Sequence, residues 1–313
     1  MQEIKFIYFD CSPFLVLRQL HNQLNLKLAQ VVKEKNNHVS CVMTVDVEDY
    51  FHVSAFENTI SPEDWHKYPL RVEKNTYRLL ELFEQHQAKC TFFILGWVAE
   101  KCPKLIQSIA SLGHEIASHG HAHQRVIDMT REQFFHDVEK SKKILEDSSG
   151  KAVLGYRAPS FSVNDKNKWA FDVLLELEFK YSSSTYPIKH DLYGVPDWPR
   201  FCYQRPEGIL EIPIPTLRKN NKNIGIGGGG YFRLYPYKLS DKRIQRYLFE
   251  EKQPYNFYFH PWEIDPGQPR IKSASLKSKL RQYINLSKME GKLIRLLEDY
   301  QWSTMQDTYL DKN

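Results

Sequence analysis

The chain has 313 residues, of which 42% are hydrophobic and 26% charged, a balance that excludes a disordered chain, a collagen-like fibre and a coiled coil. Its 43 basic and 38 acidic residues leave a net charge of +5, and the basic clusters at 218–222 and 272–281 do not alternate with stacking aromatics, which argues against nucleic acid as a partner. No apolar run reaches the roughly 18–20 residues of a membrane span, and five cysteines with no CxxC spacing argue against a disulfide framework and for a reduced, cytoplasmic protein.

Residues 1–37 read as an N-terminal extension. Its apolar stretch at 6–17 is broken by Asp10 and Pro13 and lacks the basic start and small-residue cleavage site of a signal peptide. A polar amphipathic helix over 18–37 follows, and the stretch leaves open a position at the inner membrane face. From His38 the pattern changes: 38–47 is β-branched and predicts a buried strand ending in acids. Helical spacing over 75–86, a strand at 89–95, a helix over 103–112 closed by Gly113, and a short strand at 115–118 come next. Thr130 and Gln133 have the spacing of a capping box, opening a helix to about Asp147. A strand at 153–156, a helix over 168–177, and strands at 179–183, 210–213 and 256–260 complete the reading. Strand and helix alternate from 40 to about 185, the pattern of parallel strands joined by helices. Polar residues of chemical interest fall just after the strands, which predicts an α/β fold of the β/α-barrel type with its site at the C-terminal mouth.

Four segments carry chemistry. Asp46, Glu48 and Asp49 put three carboxylates within four residues, an arrangement that calls for a cation. His119 and His123, four apart, share one face of a helical turn, and neutral imidazoles so placed suit Zn²⁺ or a similar divalent ion. With one carboxylate, either Glu48 or Asp49, they would leave positions open for water and substrate, as catalytic rather than structural sites do. Arg157, in Arg157-Ala158-Pro159, can fork onto a carboxylate. His260 follows an apolar strand and stands beside Trp262, which fits a general acid next to a sugar-stacking ring. The glycine run 227–230 reads as a loop of close backbone approach, with Tyr231 and Arg233 after it as candidates to line a ligand cleft.

Taken in order, Thr44-Val45-Asp46 with Glu48 and Asp49, His119–His123, Arg157-Ala158-Pro159, Ser182–Pro187 and Phe259-His260-Pro261 resemble the five motifs of the polysaccharide deacetylases of the NodB-homology superfamily, carbohydrate esterase family 4. The match covers about 40–265. The segments TVDVEDYFHVSAF, GGGGYFRLYPY and FYFHPWEID look like the branch associated with exopolysaccharide and exosortase loci, which carries an extra C-terminal region, here about 200–300. The resemblance implies a deformed β/α barrel over 38–302 with a tail at 303–313, one divalent metal ion with zinc the first candidate, and removal of acetyl groups from an N-acetylated glycan. Peripheral association with polysaccharide-assembly machinery is the partner it suggests. By the same match Asp46 is the general base, His260 the general acid, Arg157 the residue orienting Asp46, and the Ser160 N–H a holder of the oxyanion. His119 and His123 are then metal ligands, and the third is Glu48 or Asp49, with Glu48 favoured because i and i+2 share a face of an extended chain. The chain departs from the family where Val47 replaces a second adjacent acid, and where Ser182 stands in place of an Asp that tunes the acid histidine. Without that charge, His260 is expected to titrate lower than in an Asp-bearing relative. An allantoinase-like hydrolase of a small cyclic amide and a catalytically impaired glycan-binding module are the competing readings.

Overall fold

The computed structural model describes residues 40–190 and 194–311. The expected extension and its helix over 18–37 lie outside them. β1 (Cys41–Val47) and β2 (Cys90–Ile94) are buried at every position, as central parallel strands covered on both faces must be. β3 (Glu115–Ser118), β4 (Gly155–Tyr156), β5 (Tyr181–Ser182), β6 (Tyr203–Gln204), β7 (Leu210–Glu211), β10 (Tyr255–Phe259) and β11 (Trp302–Ser303) complete one nine-stranded sheet. β8 (Thr216–Lys219) and β9 (Lys222–Gly225) form a separate antiparallel hairpin. Among the described residues the main sheet runs β10-β1-β2-β3-β4-β5-β7-β6, and only its β6–β7 pair is antiparallel. It is a curled half-barrel, as the sequence pattern predicted.

Register decides where the chemistry falls. Val45 pairs with Phe259, Ile94 with Ser118, Ser118 with Tyr156, and Tyr156 with Ser182. Asp46, His119, Arg157, Ser183 and His260 therefore leave the sheet at one end. β2 joins β1 only from Met43 onward. β11 takes the vacant edge of β1 at Cys41 and Val42, so residues read as a tail extend the sheet. Beyond it, α10 (Met305–Tyr309) sends the Met305 N–H to Thr91 Oγ1 at 2.7 Å.

Helices α1 (Val72–Gln85), α2 (Gly96–Lys101), α3 (Pro103–Ser111), α4 (Arg131–Ser149) and α5 (Trp169–Glu176) connect the parallel strands. α4 opens on the predicted capping box of Thr130 and Gln133, and Gly113 takes the left-handed φ of 75° expected after α3. The C-terminal region adds α6 (Gly229–Leu234), α7 (Tyr237–Glu250), α8 (Leu276–Tyr283) and α9 (Leu286–Asp299). Tyr50, Phe51, Phe56 and Trp65 after β1 pack with Trp262, Ile271 and Leu286 in one apolar cluster. The loop that carries the first acids is thus clamped to the C-terminal region. No described helix is long and apolar enough to cross a membrane.

Candidate active site

The strand ends open into a cleft of about 420 Å³ lined by Asp46, Glu48, His119, His123, Ser160, Tyr231, His260 and Trp262. Asp46 is 2% exposed. Arg157 Nη1 donates to its Oδ1 at 2.5 Å and to Thr44 Oγ1 at 2.9 Å. The remaining guanidinium donors meet the Ser183 carbonyl at 3.3 Å and Ser183 Oγ at 3.2 Å, while its plane lies 3.9 Å over the Phe93 ring. A fully buried guanidinium, itself anchored by Thr44 and Ser183, thus holds one oxygen of the Asp46 carboxylate, a single contact where the sequence suggested a fork.

Glu48, His119 and His123 each offer one ligand atom, and these atoms lie within 4.8 Å of one another. His119 Nδ1 stands 2.8 Å from the Arg157 carbonyl. A carbonyl only accepts, so Nδ1 carries the proton and the Nε2 lone pair is left for an ion. Burial, opposed by Asp46, pushes the His119 pKa down to about 4, which keeps the ring neutral. His123 takes a left-handed φ of 51°, turning its ring back toward Glu48. Glu48 Oε2 is buried, lies 2.6 Å from His123 Nε2, and yet accepts no hydrogen bond of usable direction. That geometry, with two imidazoles and a carboxylate, fits a divalent cation. Burial works to raise the Glu48 pKa, but His123 and His260 outweigh it and hold the carboxylate well below its usual range.

Asp49 is not in this group. Its Oδ2 accepts the N–H groups of Arg71 at 2.6 Å and Val72 at 2.8 Å, and its Oδ1 that of Tyr50 at 2.9 Å. It caps the start of α1. The chain turns sharply at the end of β1, where the Glu48 N–H reaches the Asp46 carbonyl at 3.0 Å. This turn leaves Glu48 with Asp46 in the cleft and turns the buried Asp49 to the start of α1.

His260 Nδ1 lies 2.9 Å from Glu263 Oε1, and its Nε2 lies 3.5 Å from Glu48 Oε1. Burial works to lower its pKa, but Glu48 and Glu263 outweigh burial and push it up to about 9. Ser182 brings no charge to His260, and Glu263 supplies one beside its ring. Trp262 reaches the cleft wall, yet only 5% of it is exposed. Its ring stacks on His260 at 5.0 Å, lies 5.2 Å from the Arg233 guanidinium, and its Nε1–H donates to Glu48 Oε1 at 3.2 Å. It supports the site's side chains and has no open face for a sugar. Arg233 does not line the cleft; it is buried against Glu263 and three carbonyls. Tyr231 does line it. Ser160 sits in the wall with left-handed backbone (φ 55°, ψ 26°), its Oγ 2.5 Å from Ser54 Oγ. The sequence reading missed Glu263, although its spacing of three from His260 across a short turn was a usable signal.

A curled parallel sheet with two histidines and a carboxylate gathered at its mouth is the arrangement of the NodB fold. Residues 64–180 match the polysaccharide deacetylase family, so that stretch is a polysaccharide deacetylase domain. Residues 183–310 match a domain of unknown function (DUF3473), the segment that supplies His260, Glu263 and Arg233. The chain is 32% identical over 124 residues to the peptidoglycan deacetylase of Helicobacter pylori, covering 40% of this chain and 41% of that protein. It is 32% identical over 96 residues to a peptidoglycan-N-acetylglucosamine deacetylase of Bacillus cereus, covering 30% of this chain and 35% of that protein. It therefore spans well under half the length of these relatives. A solved Mycobacterium smegmatis structure, described as a polysaccharide deacetylase, superposes with a TM-score of 0.57 at 17% identity, covering 86% of this chain and 88% of that one. That likeness establishes the fold.

Proposed function

We propose that this chain is a metal-dependent N-deacetylase acting on an N-acetylated polysaccharide or its precursor. The observation that carries this reading is one cleft holding the Arg157-bound Asp46, the Glu48–His119–His123 donor set, and His260. A divalent ion held by Glu48, His119 and His123, zinc by the chemistry of the donors, would polarise the acetamide carbonyl and acidify water. Asp46, fixed by Arg157, takes the proton of the attacking water. The Ser160 N–H at the cleft wall steadies the negative charge that develops on the carbonyl oxygen. His260 then delivers a proton to the sugar nitrogen as the carbon–nitrogen bond breaks, and acetate and a free amine leave.

The names of the relatives make N-acetylglucosamine polymers the first substrates to try. The sequence likeness to an exopolysaccharide-associated branch supports a related role in exopolysaccharide synthesis, alongside the assembly machinery. Cys41, Cys90 and Cys102, buried and without a disulfide, support a reducing compartment such as the cytoplasm or its membrane face. The test pairs acetate release from N-acetylglucosamine oligomers with metal analysis. Asp46→Asn and His260→Ala should each keep the ion and lose about 10²–10⁴-fold in turnover. Near-full turnover in either variant would refute its role.

A further inference from the structure

We propose that Glu263, seated on Gly229 and held by Arg233, is the positioning residue for His260, doing the work that the family's fourth motif assigns to an acid where this chain has Ser182. The inference rests on the reading of His260 as the proton donor. Ser182 is fully buried, and its hydroxyl donates to Ser184 Oγ at 2.8 Å. Glu263 is 1% exposed. Its Oε1 faces both His260 Nδ1, at 2.9 Å, and the His260 backbone N–H, at 3.1 Å. An ionised carboxylate only accepts, so Nδ1 must carry a proton and Nε2 is the nitrogen left to face the cleft. The return bond from the Glu263 N–H to the His260 carbonyl, at 3.0 Å, closes the turn.

The other oxygen is held as firmly. Arg233 Nε donates to Glu263 Oε2 at 2.6 Å. The same guanidinium donates to the carbonyls of Arg281, Gln282 and Ile284 at 2.9–3.0 Å, and residues 281, 282 and 284 line the cleft. One buried cation thus fixes both the partner of the histidine and the rim of the cleft. The glycine run belongs to the same device. A Cβ on Gly229 would lie 2.3 Å from Glu263 Oε1, closer than packed atoms approach, so only glycine leaves room for this carboxylate. Glu263, Arg233 and Gly229 all fall within residues 183–310, which gives that region a task in the reaction.

The test uses the metal-loaded full chain and N-acetylglucosamine oligomers. Glu263→Gln should lower kcat about 10–100-fold, the usual loss when the group orienting a functional imidazole is removed, with KM changed less than twofold and the bound ion retained. Glu263→Asp should recover part of the loss, because the charge is kept at a shorter reach. Gly229→Ala, which crowds the carboxylate without touching its charge, should also lower kcat, and Ser182→Ala should stay within twofold of the wild type. Should Glu263→Gln fail to fold with Arg233 left unpaired, the double variant Arg233→Met/Glu263→Gln removes both charges together. A second readout does not need turnover. In ¹⁵N-histidine-labelled protein the His260 Nδ1–H signal should be protected from solvent exchange in the wild type and lose that protection in Glu263→Gln. If the wild type releases no acetate, the deacetylase reading fails, and the exchange measurement alone decides the role of Glu263. Unchanged kcat or unchanged Nδ1–H protection in folded Glu263→Gln would overturn the proposal, as would a loss confined to Ser182→Ala.

Discussion

Replacing Arg157 with Met tests the heart of the site in a way that separates its parts. The side chain is fully buried and donates to Asp46, Thr44 Oγ1 and two atoms of Ser183. Methionine fills much of the volume but leaves the Asp46 carboxylate buried without its partner. Breaking a buried pair on one side costs about 3–5 kcal/mol. At a urea m-value of about 3 kcal/mol/M, that lowers the unfolding midpoint by roughly 1–1.7 M. Lysine keeps the charge but not the fork, so Arg157→Lys should fall in between. Asp46→Asn added to Arg157→Met should cost less than the sum, because the stranded charge is gone, with a coupling of about 1–3 kcal/mol in a double-mutant cycle. The metal should stay. His119 is held by the Arg157 backbone carbonyl, not by its guanidinium, so Arg157→Met should bind its ion while losing turnover. The assays are urea titration followed by tryptophan fluorescence, and metal analysis of the folded variant. A midpoint within about 0.2 M of the wild type, equivalent to about 0.6 kcal/mol at that slope, would refute the reasoning.

Three further predictions follow from the same geometry. Glu48→Gln should lose the ion, whereas Asp49→Ala should keep it and be destabilised by about 1–3 kcal/mol as the Tyr50, Arg71 and Val72 N–H groups lose their acceptor; metal analysis and urea titration separate the two. Trp262→Phe removes the indole bond to Glu48 and should weaken metal affinity by about 10–100-fold with little change in KM, measured by competition with a chelating dye. His114 packs against Phe83 and Phe92, and burial, with Lys89 adding to it, pushes its pKa down to about 4 from 6.5. The unfolded chain therefore binds its proton first. Stability is full above about pH 6.5 and falls as pH drops toward 4, by about 3 kcal/mol from this group alone. His114→Phe should lose less Tm than the wild type between pH 7 and 4.5, and parallel curves would count against this.

The parts of the fold legible in the sequence are those whose local pattern and tertiary role agree. β1, β2 and β3 are short apolar runs because a covered parallel sheet buries both faces, and α4 announces itself through Thr130 and Gln133. The predicted strands at 153–156, 179–183 and 210–213 shrink to pairs of residues, since apolar patterning marks burial and not the length of a hydrogen-bonded ladder. α9 was passed over although Leu286, Met289, Leu293, Leu296 and Leu297 lie on one buried face at helical spacing. In the site, the order of acids and histidines after strands was readable, and alternation along an extended chain favoured Glu48 over Asp49 beside Asp46. The turn that parts Glu48 from Asp49 is a backbone feature. Arg233 looked like a cleft residue because its partners, Glu263 and the carbonyls of 281–284, stand about thirty to fifty positions further on. Trp262 looked like a sugar platform because nothing in the sequence shows that His260 and Arg233 already occupy its faces.

Titrating the metal-free chain with zinc, while measuring acetate released from an N-acetylglucosamine oligomer, tests the central claim most directly. The account predicts acetate release that rises with zinc and saturates at one ion per chain, and that Glu48→Gln abolishes together with tight binding. One tightly bound ion per chain with no acetate from any N-acetylated glycan, or full acetate release with no ion bound, would contradict it.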